Sequence, residues 1–116
     1  LTQALVANLM AGSLKVVAML SSKVGSIADN SSGGGYYYRS SKTALNQVVK
    51  SLSIDLAAQG IKVVALHPGW VQTEMGGPNA LISTERSALG LYQVLAGVNE
   101  DKSGCFYSYE GAEIPW

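Results

Sequence analysis

The chain has 116 residues, of which 47% are hydrophobic, and its eight Lys and Arg residues balance its eight Asp and Glu residues. This length suits one domain with a sizeable core and is too short for two ordinary domains. Because the charges cancel and are scattered along the chain, the composition gives no reason to expect nucleic acid or an anionic membrane surface as a partner.

Cysteine content and hydropathy narrow the class of protein further. The single cysteine, Cys105, has no partner for an internal disulfide or a metal site, which fits a reducing compartment. No stretch approaches the ~18 apolar residues that a membrane span requires. Residues 1–10 are apolar but lack the basic segment of a signal peptide. We therefore expect a cytoplasmic protein without a metal centre.

The first part of the chain predicts a helix, a strand and a loop. Apolar residues at helical spacing favour a helix over residues 2–11. The nearly continuous apolar run of residues 15–20 is typical of a strand buried on both faces of a parallel sheet. Ser21 and Ser22 end this strand, and residues 23–35 form a loop rich in Ser, Gly and Asn. On this helix the spacing places Ala4, Leu5, Leu9 and Met10 near one side.

The remaining chain repeats the alternation. Apolar spacing predicts helices over residues 37–59 and 84–96, and apolar runs predict strands over residues 61–66 and 102–107, with a loop over residues 70–83. The expected inward residues are Ala44, Leu45, Val48, Val49, Leu52 and Leu56 on the longer helix and Ala88, Leu89, Leu91, Tyr92 and Leu95 on the later one. Ala44, Leu45 and Val48 could instead face a partner chain. The order αβαβαβ predicts a single α/β domain with a parallel sheet.

Tyr38 and Lys42 stand four residues apart where the longer helix begins. This spacing places two side chains one above the other on the same helix face. A positive charge beside a phenol favours its ionised form, which lets a tyrosine exchange a proton with a substrate oxygen near neutral pH. The spacing is common on helices, so an isolated pair would indicate only a solvated tyrosine and a surface lysine. The surroundings of the pair therefore decide its meaning.

Those surroundings lie at the ends of two predicted strands. Ser22 follows the first strand, and Pro68 and Gly69 follow the second. In open parallel sheets, ligands bind outside the carboxyl ends of the strands, so these residues and the Tyr38–Lys42 pair should share one site. His67 has no partner nucleophile or metal cluster in the sequence, and we expect it to be a structural residue at a strand end.

Three motifs together resemble a known family. They are Ser21-Ser22 after a strand, Tyr38-x-x-Ser-Lys42 at a helix start, and Pro68-Gly-Trp-Val-x-Thr73 after the next strand. In this order they resemble the C-terminal half of the short-chain dehydrogenases/reductases, and the loop sequences are most similar to C-factor-like proteins and sniffer-type carbonyl reductases. The resemblance covers essentially all 116 residues. It implies that the chain is the C-terminal portion of a Rossmann-type, doubly wound parallel sheet.

The resemblance also implies roles for individual residues. Tyr38 would be the general acid that protonates a carbonyl oxygen, and the base in the reverse reaction. Lys42 would make the phenol more acidic and hold the nicotinamide ribose, and Ser22 would hydrogen-bond the substrate oxygen. The residues that would contact the cofactor are Tyr38, Lys42, Pro68, Gly69, Val71 and Thr73. The residues that would contact the substrate are Ser22, Trp70 and Met75.

Parts of the family's pattern are not found in this sequence. The glycine-rich turn, the selector residue for the adenosine ribose and the upstream catalytic asparagine would belong to an N-terminal cofactor-binding half. We therefore expect an apolar strand at the sheet edge and a chain that turns over little by itself. NADP is the expected cofactor, with NAD as an open alternative, and a small carbonyl or alcohol the expected substrate.

Two functions remain open at this point. The first is a nicotinamide-dependent carbonyl reductase or alcohol dehydrogenase. The second is a non-catalytic signalling or binding module that keeps the dimerising helices of the fold. In either case the resemblance implies a homodimer through the helices at residues 2–11 and 37–59.

Overall fold

Three parallel strands form the sheet in a computed structural model that describes residues 1–116. The strands are β1 (Val16–Leu20), β2 (Lys62–His67) and β3 (Phe106–Ser108), which lie side by side in this order. The α-helices are α1 (Thr2–Ala11), α2 (Tyr36–Asp55) and α3 (Thr84–Ala96). Short 3₁₀ turns cover Lys23–Gly25, Ala57–Gln59 and Glu100–Lys102. The predicted αβαβαβ order and the parallel sheet are confirmed.

The helices cover the sheet from both sides. On one side, Val49 of α2, Leu56 directly after α2, and Val6 and Leu9 of α1 pack against Val63, Ala65 and Phe106. On the other side, Leu91, Val94 and Leu95 of α3 pack against Val64, Leu66 and Tyr107. Successive residues of β2 therefore face different helices, as the alternation of side chains along a strand requires. This explains why β2 is apolar at nearly every position.

The strand β1 is less buried than we predicted. Val17 and Met19 pack against the α2 side of the core, but Ala18 and Leu20 are exposed, with Leu20 57% accessible. The prediction of burial on both faces is wrong because β1 pairs only with β2, and α3 packs over β2 and β3. The expected apolar strand at the sheet edge is thereby confirmed.

On two helices the residues that pack on the core differ from the apolar residues that the spacing grouped together. On α1 the inward residues are Val6 and Leu9, whereas Ala4, Leu5 and Met10 are exposed. On α3 the prediction is right for Leu91 and Leu95 and wrong for Ala88, Leu89 and Tyr92, which are exposed. The physical reason on α3 is a close approach of backbone to backbone. A Cβ on Gly90 would lie 2.3 Å from the Tyr109 carbonyl oxygen, so small residues, and not the largest apolar ones, set the contact.

The longer helix ends earlier than predicted, and the last strand begins later than predicted. Regular α2 ends at Asp55, and Gly60, in the left-handed conformation with φ of 68°, follows the short turn. On α2, Ala44 and Val48 are exposed, and Leu45 is half-buried. The strand β3 begins at Phe106, because a short helical turn and Gly104 with φ of 80° precede it. The predicted strand cysteine, Cys105, therefore lies just before β3 and is half-buried.

None of the helices combines the length and apolar composition that a membrane crossing requires. No group of three or more His, Cys, Asp or Glu side chains lies close enough together to hold a metal ion.

His67 ends β2, and its buried Nδ1 atom has no protein hydrogen-bond partner. Burial lowers the pKa of His67 from its ordinary value of 6.5, and the nearby positive charge of Lys23 lowers it further. The folded chain therefore binds this proton more weakly than the unfolded chain does. Stability that this histidine contributes above pH 6.5 is lost as the pH falls through the window between 6.5 and the lower folded-state value.

We predict that His67→Asn removes this part of the acid sensitivity. The measurement is urea unfolding of both proteins at about pH 7.5 and about pH 5.5. The loss of unfolding free energy between the two pH values should be smaller in the variant than in the parent chain. An equal loss in both proteins would contradict the assignment to His67.

Candidate active site

Two adjacent serines follow β1 and have different environments. Ser21 is buried, and its hydroxyl donates a hydrogen bond of 2.6 Å to Oδ1 of Asn46 on α2. Ser22 is half-buried and has extended backbone angles of −146° and 144°. Consecutive side chains on extended backbone point to opposite sides, so Ser22 points away from the interior that Ser21 faces. Ser22 is therefore the serine available to a ligand at this edge of the sheet.

The turn that follows Ser22 is seated directly on α2 through Gly25. The Gly25 carbonyl oxygen accepts hydrogen bonds from Oγ1 of Thr43 at 2.8 Å and from Nδ2 of Asn46 at 3.3 Å. A Cβ on residue 25 would lie 2.7 Å from the Cβ of Lys42. Such a contact is too short for any residue but glycine. The absence of a side chain thus lets the turn that carries Ser22 lie against the helix that carries Lys42.

Tyr38 and Lys42 occupy the first turns of α2, as predicted. Gly35 precedes the helix in the left-handed conformation, with φ of 57°. The Lys42 Nζ atom lies 5.7 Å from the centroid of the Tyr38 ring and donates a hydrogen bond of 3.2 Å to the Leu20 carbonyl oxygen. Lys42 therefore connects the helix to the carboxyl end of β1. An ammonium group has three N–H donors, so two remain for a ligand.

The neighbouring tyrosines differ from Tyr38 in exposure. Tyr38 is 51% accessible, whereas Tyr36 is 83% and Tyr37 94% accessible. Neither Tyr36 nor Tyr37 is packed against the rest of the chain. Of the three, only Tyr38 has Lys42 beside its ring.

The segment after β2 contributes the second wall of the site. The Pro68 carbonyl oxygen accepts a hydrogen bond of 2.6 Å from the Ser87 hydroxyl, which fixes this segment to α3. Gly69 has φ of 85°, and a Cβ there would lie 2.6 Å from Cδ1 of Ile82. Val71 forms an isolated parallel bridge with Ile82. The β1–β2 register pairs Leu20 with Leu66, so this segment and the Ser22 turn leave the sheet at the same edge.

The loop beyond Val71 uses two of the predicted contact residues for its own structure. The Trp70 indole N–H donates a hydrogen bond of 2.7 Å to the Gly76 carbonyl oxygen. The Thr73 hydroxyl accepts a hydrogen bond of 3.1 Å from the Gly76 backbone N–H. Met75 is 93% accessible. Trp70 and Thr73 therefore form hydrogen bonds within the loop, and Met75 extends into solvent.

The sequence interpretation missed the residues that hold the site together. Gly25, Thr43 and Asn46 build the contact between the turn and the helix, and the sequence analysis named none of them. It named Ser21 only as the end of the strand and missed its hydrogen bond to Asn46. A signal for Asn46 was present: it lies four positions after Lys42 and three before Val49, so helical spacing places it on the face that carries both residues. For Gly25 no such signal exists, because its close contact depends on where α2 lies.

Comparison with known proteins identifies similar sequences. A family model described as short chain dehydrogenase matches residues 1–81. C-signal from Myxococcus xanthus is 48% identical over 115 residues, which cover 99% of this chain and 69% of that protein. The family resemblance predicted from the three motifs is confirmed.

Solved structures are similar over the same region. The carbonyl reductase Sniffer of D. melanogaster is 44% identical, with a TM-score of 0.84 over 87% of this chain and 41% of that one. The NADPH-bound carbonyl reductase from chicken fatty liver is 34% identical, with a TM-score of 0.90 over 99% of this chain and 51% of that one. The chain thus spans about half or less of each carbonyl reductase.

We predict that Gly25→Ala lowers the free energy of unfolding by about 1–3 kcal/mol, because the new methyl group overpacks the contact with Lys42. The matched control is Gly12→Ala. Gly12 has φ of −80°, and a Cβ there would lie at an ordinary 3.5 Å from the Leu9 carbonyl oxygen. The control should change the free energy by less than about 0.5 kcal/mol. Equal effects in urea unfolding would contradict the close contact at Gly25.

Proposed function

The chain belongs to the short-chain dehydrogenase/reductase family, and we propose that it supplies the catalytic part of an NADP-dependent carbonyl reductase. The observation that carries this proposal is the grouping of Tyr38 and Lys42 on the first turns of α2, beside the turn of Ser22. The similarity to carbonyl reductases, one of them with bound NADPH, supports the same reaction.

The proposed reaction reduces a carbonyl compound to an alcohol. NADPH, when bound, supplies the hydride to the carbonyl carbon. The Tyr38 hydroxyl donates its proton to the carbonyl oxygen, so that the C=O double bond becomes a C–O single bond with a new hydrogen on each atom. Lys42 places its positive charge beside the phenol, where it stabilises the phenolate that remains. Ser22 hydrogen-bonds the same oxygen and orients the carbonyl group.

The residues present fit the nicotinamide end of the cofactor. Two N–H donors of Lys42 remain free of the bond to Leu20 and can hold ribose hydroxyls. Backbone at Pro68, Gly69 and Val71 borders the same edge of the sheet. The Thr73 hydroxyl is a weaker candidate, because it already holds the turn to Gly76. The choice of NADP over NAD rests on the bound cofactor of the carbonyl reductase from chicken fatty liver.

The proposed substrate is a small carbonyl compound that lies between Ser22 and the loop at Trp70. The Trp70 ring is about half exposed while its N–H is bonded to Gly76. Trp70 therefore offers a substrate its ring face and not a hydrogen bond. Met75, which is almost fully exposed, could contact a substrate only if its loop closes over the site.

We also propose a cytoplasmic homodimer that forms through α1 and α2. Apolar side chains are exposed on the two helices, including Leu5, Met10, Val48 and Ile54. The edge of β3 is a poor alternative, because the tail of the chain covers it: the Ile114 N–H donates a hydrogen bond of 2.7 Å to the Phe106 carbonyl oxygen.

We predict that Tyr38→Phe lowers the kcat of carbonyl reduction by about 10²–10⁴-fold, because a general acid contributes about this factor. The protein to assay is the full-length enzyme that contains this chain. The measurement is the rate of NADPH oxidation in the presence of a carbonyl substrate. Tyr37→Phe is the matched control and should keep ordinary turnover, since Tyr37 is fully solvated and has no lysine beside its ring. Retained turnover in Tyr38→Phe would sink the proposal and favour a non-catalytic role.

A further inference from the structure

Gly69 is the residue of the segment after β2 that the chain holds without hydrogen bonds. Before it, the Pro68 carbonyl oxygen accepts the bond from the Ser87 hydroxyl. After it, the Trp70 carbonyl oxygen accepts a hydrogen bond of 2.9 Å from the Leu81 N–H. The N–H and C=O groups of Gly69 itself form no hydrogen bond within the chain. The position of this backbone therefore depends on the side chains that pack against it.

Two side chains pack against Gly69. A Cβ on this residue would lie 2.6 Å from Cδ1 of Ile82, and 2.9 Å and 3.0 Å from Cε1 and Cδ1 of Tyr109. The other edge of the half-buried Tyr109 ring lies against α3, since a Cβ on Gly90 would lie 3.0 Å from its Cδ2 atom. The ring is thus held between two glycines, one in the segment after β2 and one on the helix.

The position of Tyr109 is set by the sheet. Its N–H donates a hydrogen bond of 2.9 Å to the His67 carbonyl oxygen at the end of β2. Tyr109 directly follows β3, in a turn that is closed by two further backbone bonds. The Gly111 N–H donates to the Ser108 carbonyl oxygen at 2.9 Å, and the Ser108 N–H donates to the Ala112 carbonyl oxygen at 2.8 Å. The ring is therefore a fixed support for Gly69.

We propose that Tyr109 is a positioning residue for the nicotinamide ring of NADPH, because its ring fixes the Gly69 backbone that borders this part of the site. This inference rests on the proposed reductase function. Without the Tyr109 ring, Gly69 would keep only Ile82 as a support on this side and would gain conformational freedom. Binding of the nicotinamide would then have to order this backbone, and the entropic cost corresponds to about tenfold in Kd. Tyr109 acts through Gly69 and is not a catalytic residue.

The experiment measures the Kd of two ligands by titration of the full-length enzyme that contains this chain. NADPH carries the whole cofactor structure, whereas 2′-phospho-ADP-ribose lacks the nicotinamide ring. In Tyr109→Ala, the Kd for NADPH should rise about tenfold, and the Kd for 2′-phospho-ADP-ribose should stay unchanged. A folding defect would instead reduce the number of binding sites for both ligands and leave the ratio of the two Kd values as it was.

Two further variants serve as controls. Tyr109→Phe keeps the ring carbons that contact Gly69, so it should bind both ligands as the parent enzyme does. Tyr92→Ala removes the same type of side chain from an exposed position of α3, where Tyr92 is 71% accessible. This variant should leave both Kd values unchanged.

The outcomes separate this inference from the proposed function. An unchanged Kd for NADPH in Tyr109→Ala, with turnover lost in Tyr38→Phe, would overturn the role of Tyr109 and leave the reductase standing. Equal weakening of both ligands would overturn that role as well, since the effect would then not be specific to the nicotinamide ring. Weakening in Tyr109→Phe as large as in Tyr109→Ala would do the same, because the hydroxyl would then be the group that matters. A full-length enzyme that binds no NADPH would remove the reductase and the inference together.

Discussion

The seating of Gly25 on α2 is the contact on which the site depends. Because residue 25 has no side chain, the turn after β1 can approach the helix backbone at Lys42 closely enough for its carbonyl oxygen to accept bonds from Thr43 and Asn46. Both polar groups of the buried Asn46 side chain have a partner, since its Nδ2 donates to Gly25 and its Oδ1 accepts the Ser21 hydrogen bond. A buried polar group is stable only when its hydrogen bonds are made, so this network fixes one arrangement of turn and helix.

That arrangement determines where the candidate catalytic groups lie. Ser21 is turned inward to Asn46, so Ser22 is left for the ligand side. Lys42 packs against Gly25 with its Cβ and reaches the end of β1 with its ammonium group. A shift of the turn along α2 would therefore move Ser22 away from both Tyr38 and Lys42. The second wall is fixed independently, through Ser87 and the glycine at position 69.

The sequence predicted the elements well where the pattern is carried by apolar runs. β2 and the order of helices and strands followed from such runs, and Tyr38, Lys42 and Ser22 followed from the family's motifs. The predictions failed where small or polar residues make the contact. On α3, Ser87 and Gly90 form the close approach, so Leu89 and Tyr92 turn to solvent. The exposure of β1 depends on which strands lie beside it, and this cannot be predicted from the sequence of β1 itself.

The proposed enzyme divides its site between two parts of its chain, with the catalytic side chains on these 116 residues and the adenosine end of NADPH held elsewhere. The most direct test is NADPH oxidation with a carbonyl substrate, measured on the 116-residue chain alone and on the full-length enzyme that contains it. Turnover by the chain alone should be at least about 100-fold lower, because the cofactor is then poorly positioned. Ordinary turnover by the 116 residues alone would contradict this division, and no turnover by the full-length protein would contradict the reductase itself.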